Sequence, residues 1–464
     1  MNTLQSPNLA KPSFLNPAAR TFRRRCAALL CASFAAAPAL HAQYVWSGGS
    51  TTWDSTGSPG WNGSAPNSAG AGVTKTDSTS ATITQNNSAG VTIGSFTLSG
   101  GAGTFGVTPS NALTFNQDGN GAGAAAITNA GTNTNSRVNF GSGTLTLADD
   151  IVISNTGSST NASGSIAISS TIGGTGNVTF SNVSNNAAAG HITLSGPNTF
   201  TGTVTVQKGA VTFSNATSLG NSANAVHLGS AGNSATLVSS SNSVTHAYNI
   251  TVASTLGTNV LGSINTSTFD TTFSGTLALN GNVSLTSSKT SNAAVLYTGA
   301  ISGGGNVTLI GNGKTQFGDG TASVTNTYTG NTTLSDSSSL LLADNAKMTF
   351  VIGASGVNNK ITGTANQTLT LNGDFIFDLS GAAANGSWTI VDIGTLNESF
   401  GSSFSIVGFT EAANVWTYVS GTKTYTFSEA TGVLSAVPEP STIILWGLGA
   451  AFVLFGMRRR ARHA

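Results

Sequence analysis

Asp149 and Asp150 are the only adjacent acidic pair in this 464-residue chain, and Asp374 with Asp378 is the other close pair of note. Paired carboxylates can cleave glycosidic bonds when a second carboxyl group, a base or a metal stands close by. On a strand Asp374 and Asp378 would share a face about 13 Å apart, too far for a dyad. His191, His227 and His246 are dispersed, with no spacing such as His-x-x-x-His, and read as structural. Gly303-Gly304-Gly305 follows a strand-like stretch and opens no helix, so it is a corner and no phosphate loop. Gly318-Asp319-Gly320 by itself is too little for a calcium repeat. Trp46, Trp53 and Trp61 have faces on which sugar rings could stack. They equally suit a cap over the first turn of a stacked fold, and that reading is preferred. The expectation is a protein with no catalytic residues, no metal ligands and no cofactor.

The elements that must carry these residues are strands. Thr144-Leu145-Thr146-Leu147, Asn177-Val178-Thr179-Phe180, Thr203-Val204-Thr205-Val206 and Gln367-Thr368-Leu369-Thr370-Leu371 alternate apolar and polar side chains. Period-two alternation with β-branched residues, broken by Gly, Asn and Ser, predicts short β-strands. No amphipathic helical pattern occurs between residues 44 and 437. The fold class is therefore all-β.

Nearly 400 residues of short strands exceed a single sandwich, and internal similarity favours a solenoid. Ile172-Gly-Gly-Thr-Gly-Asn-Val-Thr179 matches Ile301-Ser-Gly-Gly-Gly-Asn-Val-Thr308, offset by 129 residues. Asn198-Thr-Phe-Thr-Gly-Thr-Val-Thr-Val206 matches Asn326-Thr-Tyr-Thr-Gly-Asn-Thr-Thr-Leu334, offset by 128. Charged residues are only 7% of the chain. That suits coils stacked about 4.8 Å apart, where like charges in register would repel. Residues 191–211 resemble the autotransporter-associated β-strand repeat, with a weaker copy at 326–334, and Trp46-Ser-Gly-Gly resembles the start of such passenger regions. The resemblance implies a right-handed parallel β-helix at a cell surface. The chain departs from true autotransporters in lacking a C-terminal barrel pattern of alternating strands.

From Phe375 onward the pattern grows more aromatic, which predicts a separate cap. The expected division is a leader at 1–42, a Trp-rich cap at 43–70, the solenoid at 71–372, a C-terminal β cap at 373–436 and a tail at 437–464. Residues 43–437 hold eight Lys plus Arg against fifteen Asp plus Glu, a net −7. A mildly acidic body without a basic cluster excludes a nucleic-acid partner. Both cysteines, Cys26 and Cys31, precede residue 43, so the body has no disulfide to stabilise it.

The two ends address the chain. Arg20, Arg23, Arg24 and Arg25 precede an apolar stretch and Ala39-Leu40-His41-Ala42, a signal peptide pattern with its cut after Ala42 and the secretion translocon as partner. At the other end Val437-Pro438-Glu439-Pro440-Ser441 precedes sixteen uncharged residues, 442–457, and then Arg458, Arg459, Arg460 and Arg462. An apolar run this length is slightly short for a bilayer, which takes about 20 helical residues. The arginines predict a cytoplasmic C-terminus and an external body. This three-part order resembles the PEP-CTERM sorting signal of Gram-negative bacteria. The resemblance implies recognition of Pro438-Glu439-Pro440 by an exosortase-like membrane enzyme, and a tail that is later removed. Together these readings predict an exported structural or adhesive protein of the envelope, surface or matrix, with exopolysaccharide as a candidate partner. A polysaccharide-degrading enzyme on the same scaffold and a glycan-binding protein without turnover are the alternatives.

Overall fold

The computed structural model describes residues 42–438, apart from 49–50, 54–59, 62–63, 102, 118–122, 163, 254–256, 365 and 393–395. Among the described residues every regular element is a strand and none is a helix. Four parallel sheets, of 23, 4, 7 and 4 strands, are followed by one antiparallel sheet of five. The chain is a parallel β-solenoid of about 13 turns.

Each coil pairs with the next in register, so one side-chain position becomes a row running along the molecule. Leu237, Leu261, Leu285, Leu309 and Leu334 form such a row, one leucine per coil. Another contains Phe96, Ile127, Ile153, Phe180, Val206, Leu228, Val252 and Leu279. Both rows are buried and belong to one continuous apolar core. Alternate residues point outward, because the strand period is two. There Thr74, Thr97, Thr128 and Ser154 stand in register, and the hydroxyls of Thr128 and Ser154 are hydrogen-bonded at 3.1 Å. Small hydroxyls tolerate this stacking where carboxylates or ammonium groups would repel.

Corners need special residues. The strand Val204–Phe213 bends so that Val204 to Val206 pair on one side of the solenoid and Gly209 to Phe213 on the next. The bend is at Gly209, whose φ of +73° favours glycine. A Cβ there would meet the carbonyl oxygen of Asn182 at 2.1 Å.

The two long sequence matches do not mark equal places in the coil. Ile172 stacks on Leu145. Ile301 instead lies in the column of Val178, through Val204, Val226, Ile250 and Leu277. The repeated segment is thus displaced by one side of the coil between its two copies. It encodes a corner and its flanking strands, and this solenoid uses it at two different corners.

The parallel ladder also continues past the expected boundary at 373. Asp374–Asp378 pairs with Ala346–Val351, and Asn397–Phe400 pairs with Thr368–Leu371. At the other end Gln43–Trp46 already pairs in parallel with Gly72–Lys75, so the tryptophan region is itself the first rung. The aromatic enrichment after Phe375 has a packing cause. Phe375, Phe377 and Phe400 each lie 5.8–6.1 Å from Phe427 of the antiparallel sheet, ring centre to ring centre. Phe404 meets Trp416 edge-on at 5.6 Å. Large rings close the open end of the last coils against that sheet.

Candidate functional site

The antiparallel sheet runs in the order Gly386–Thr389, Val433–Pro438, Lys423–Ser428, Val415–Ser420, Thr410–Ala412. Alternation decides its faces. Trp416, Phe427 and Leu434 turn inward and are buried, while Val415, Thr417 and Val419 line the outer face. A tight turn with Gly421 at φ +61° joins Val415–Ser420 to Lys423–Ser428, the latter being a direct neighbour of the final strand. A second turn, at Ala413 and Asn414, has positive φ at both residues, and the Asn414 N–H donates to Glu411 Oε1 at 2.7 Å.

The final strand is central to this sheet along most of its length. Val433 through Ala436 have partners on both sides, and Leu434 is fully buried. Val437 and Pro438 pair only with Thr424 and Lys423. Pro438 can occupy this place because a strand end on an open edge asks for no ladder N–H. The side chain of Val437 is 58% exposed. The first two residues of the proline motif therefore stand at the rim of the folded body, tied to it by the preceding four. Glu439, Pro440, Ser441, the apolar run 442–457 and Arg458, Arg459, Arg460 and Arg462 lie outside the described residues, as do residues 1–41 of the expected leader.

Residues 436–460 match the PEP-CTERM protein-sorting motif. The motif is a sorting signal recognised by exosortase, so the chain carries an export-sorting tail on a β-helical body. It implies delivery to the envelope or surface of a bacterium. No autotransporter-associated repeat family matches the chain, although the solenoid architecture itself is present. No curated protein and no solved structure matches.

The other candidate residues are placed as follows. Trp46 and Trp53 are 0% exposed and Trp61 8%. Trp61 lies 4.9 Å from Trp46 and 5.2 Å from Trp53, ring centre to ring centre, and Trp46 Nε1 donates to the carbonyl of Gly48 at 2.7 Å. The three indoles pack on one another inside the first rung, which leaves no open face for a sugar ring.

Asp149 and Asp150 reach in opposite directions along the solenoid. Asp149 Oδ2 accepts the Gln117 N–H at 2.7 Å from the preceding coil, and Asp150 Oδ1 accepts the Asn177 N–H at 2.9 Å from the following one. A cavity of about 460 Å³ lies beside them, lined also by Gly123, Ala148 and Thr175. Asp374 is 3.3 Å from Lys347 Nζ and accepts the Ser405 hydroxyl at 2.6 Å. Asp378 is held below the usual carboxylate range by the hydroxyl and N–H of Ser380. Among the described residues no group of three His, Cys, Asp or Glu side chains could hold a metal, and no helix is long and apolar enough to cross a membrane.

His246 occupies a core row: it stacks in register on Phe273, followed by Tyr297 and Phe317. Burial lowers its pKa to about 4, and Nε2 lies 3.0 Å from the Ser239 hydroxyl. His191 is also depressed, first by burial and then by the charge of Arg137. Lys75 is fully buried in register with Trp46, and its ammonium pairs with Asp77 and bonds to Thr79 Oγ1 at 3.3 Å. Only the nearby Asp77 could have hinted at it.

Proposed function

We propose that residues 43–437 are an exported, non-catalytic structural or adhesive β-solenoid with right-handed winding. In this reading the leader engages the secretion translocon, residues 442–457 hold the precursor in the inner membrane, and an exosortase-like enzyme acts at Pro438-Glu439-Pro440. The product goes to the envelope, surface or extracellular matrix of a Gram-negative bacterium, where exopolysaccharide is its neighbour.

The observation that carries the proposal is the position of Pro438 at the end of the last core strand. The buried residues of that strand, Leu434 and Ala436, both precede it. The carboxylates and asparagines of the coil corners also have structural work, since they bond to backbone N–H groups of adjacent coils. An outer surface of threonine and serine rows suits extended contact with hydrated polymers better than turnover of one substrate.

Intact mass of the native surface form tests this. The expected species begins at Gln43 and ends within or just before residues 437–441. A species that retains residues 442–464 at the surface overturns removal of the tail.

The cavity beside Asp149 and Asp150 favours one rival, a polysaccharide-degrading enzyme. Its signature would be turnover of an acidic or neutral glycan that disappears in the D149N and D150N variants.

A further inference from the structure

We infer that the rim of the C-terminal sheet sits on the lipid surface while the precursor is anchored, with Val419 and Val437 in contact with the bilayer interface. The inference rests on the reading of residues 442–457 as membrane-inserted. The tether is the first argument. Between Pro438 and Thr442 lie only three residues. Fully extended, four steps of about 3.5 Å span about 14 Å. The end of the final strand is therefore held no more than about 14 Å from the roughly 30 Å hydrocarbon core, at or just outside the headgroup layer.

The rim has the chemistry for that place. Val419 and Val437 both oppose Thr424, and residues directly opposite in antiparallel strands share a face. Val419 is 56% exposed and Val437 58%, so the outer face ends in two open aliphatic side chains. The last row of the sheet is Ser420, Lys423 and Pro438, with no carboxylate in it. On the inner face a groove of about 560 Å³ opens beside this row, lined by Val407, Phe409, Tyr418, Lys423 and Tyr425. Phe409 and Tyr418 are 5.3 Å apart, and Tyr418 and Tyr425 are stacked at 6.3 Å. Val407, itself 48% exposed, completes the lip. Tyrosine and lysine beside exposed aliphatics is the composition of membrane interfaces, where the apolar part is buried and the polar tip stays wet. Lys423 adds electrostatic attraction to anionic headgroups.

The test uses the full-length precursor with Cys26→Ser and Cys31→Ser, reconstituted into phosphatidylethanolamine/phosphatidylglycerol vesicles that contain nitroxide-labelled lipid. Single cysteines carry a polarity-sensitive fluorophore at Val419→Cys, at Phe269→Cys as an exposed position on a distant coil, and at Gly449→Cys in the tail. The expected result is several-fold stronger quenching and a blue shift at 419 relative to 269, reduced when Lys423→Gln is added. Quenching at 449 with equal signals at 419 and 269 overturns the surface contact and leaves the tail reading intact. No quenching at 449 removes the tail reading and the contact with it. A signal at 419 that appears only in native membranes, and never in lipid alone, overturns the proposal in favour of a protein partner.

Discussion

Asn198 Oδ1 accepts the backbone N–H of Ile172 at 2.8 Å, one coil back, and Asn326 Oδ1 accepts that of Ile301 at 3.0 Å. The pair is what the two sequence matches conserve in common within this chain. An asparagine on one rung satisfies a buried donor that turns away from the ladder at a corner. The two sites differ in one respect. Asn198 Nδ2 also donates to the carbonyl of Ser218 at 2.5 Å, whereas Asn326 Nδ2 has no partner.

Asn198→Ala strands a buried N–H and a buried carbonyl together, while Asn326→Ala strands the N–H alone. A lost partner for a buried polar group costs about 1–3 kcal/mol. Denaturant unfolding of residues 43–437 should show N198A less stable than N326A, and equal midpoints would refute the accounting.

Adjacent glycines give a sharper contrast. A Cβ at Gly305 would lie 2.0 Å from the carbonyl oxygen of Gly281 on the neighbouring coil, and one at Gly304 meets nothing within 4 Å. Gly305→Ala forces the coils apart and should cost more than about 2 kcal/mol by the scale of overpacking. Gly304→Ala should be neutral or raise the melting temperature slightly, because it restricts only the unfolded chain. A melting-temperature comparison of the two decides the matter.

His246 makes stability depend on acid. Its native pKa, lowered by burial to about 4, is below the ordinary value of 6.5, so the unfolded chain binds the proton more readily. Its contribution is complete above pH 6.5 and falls away as pH drops toward 4, amounting to roughly 3 kcal/mol across that window. His246→Phe, which restores the side-chain type of Phe273 in the same row, should flatten the pH profile there. Equal acid sensitivity in both proteins would assign the effect elsewhere.

The turn at Ala413 and Asn414 has φ of +52° and +64°. Asparagine tolerates this region, but alanine is strained there by about 1 kcal/mol. Ala413→Gly should therefore stabilise the cap despite the usual entropy cost of glycine, read as a higher midpoint with unchanged circular dichroism. A lower midpoint would mean that the turn strain is illusory.

Much of this was legible before any coordinates. Period-two alternation in segments such as Thr144 to Leu147 specifies short half-buried strands, because successive side chains must face opposite sides. The low charge content permits stacking in register, where like charges would repel. The proline motif, with its apolar run and arginines, specifies the sorting signal from residue types alone. Tertiary structure decided what depends on who lies one coil away. It placed Trp46, Trp53 and Trp61 inside the first rung and gave Asp149 and Asp150 to different neighbours. It also shifted Ile301 to another side of the coil from Ile172. Local sequence governs strand and corner, whereas the number of residues between corners sets which side a corner falls on. That number varies from coil to coil, so only the wound chain reveals which residues meet.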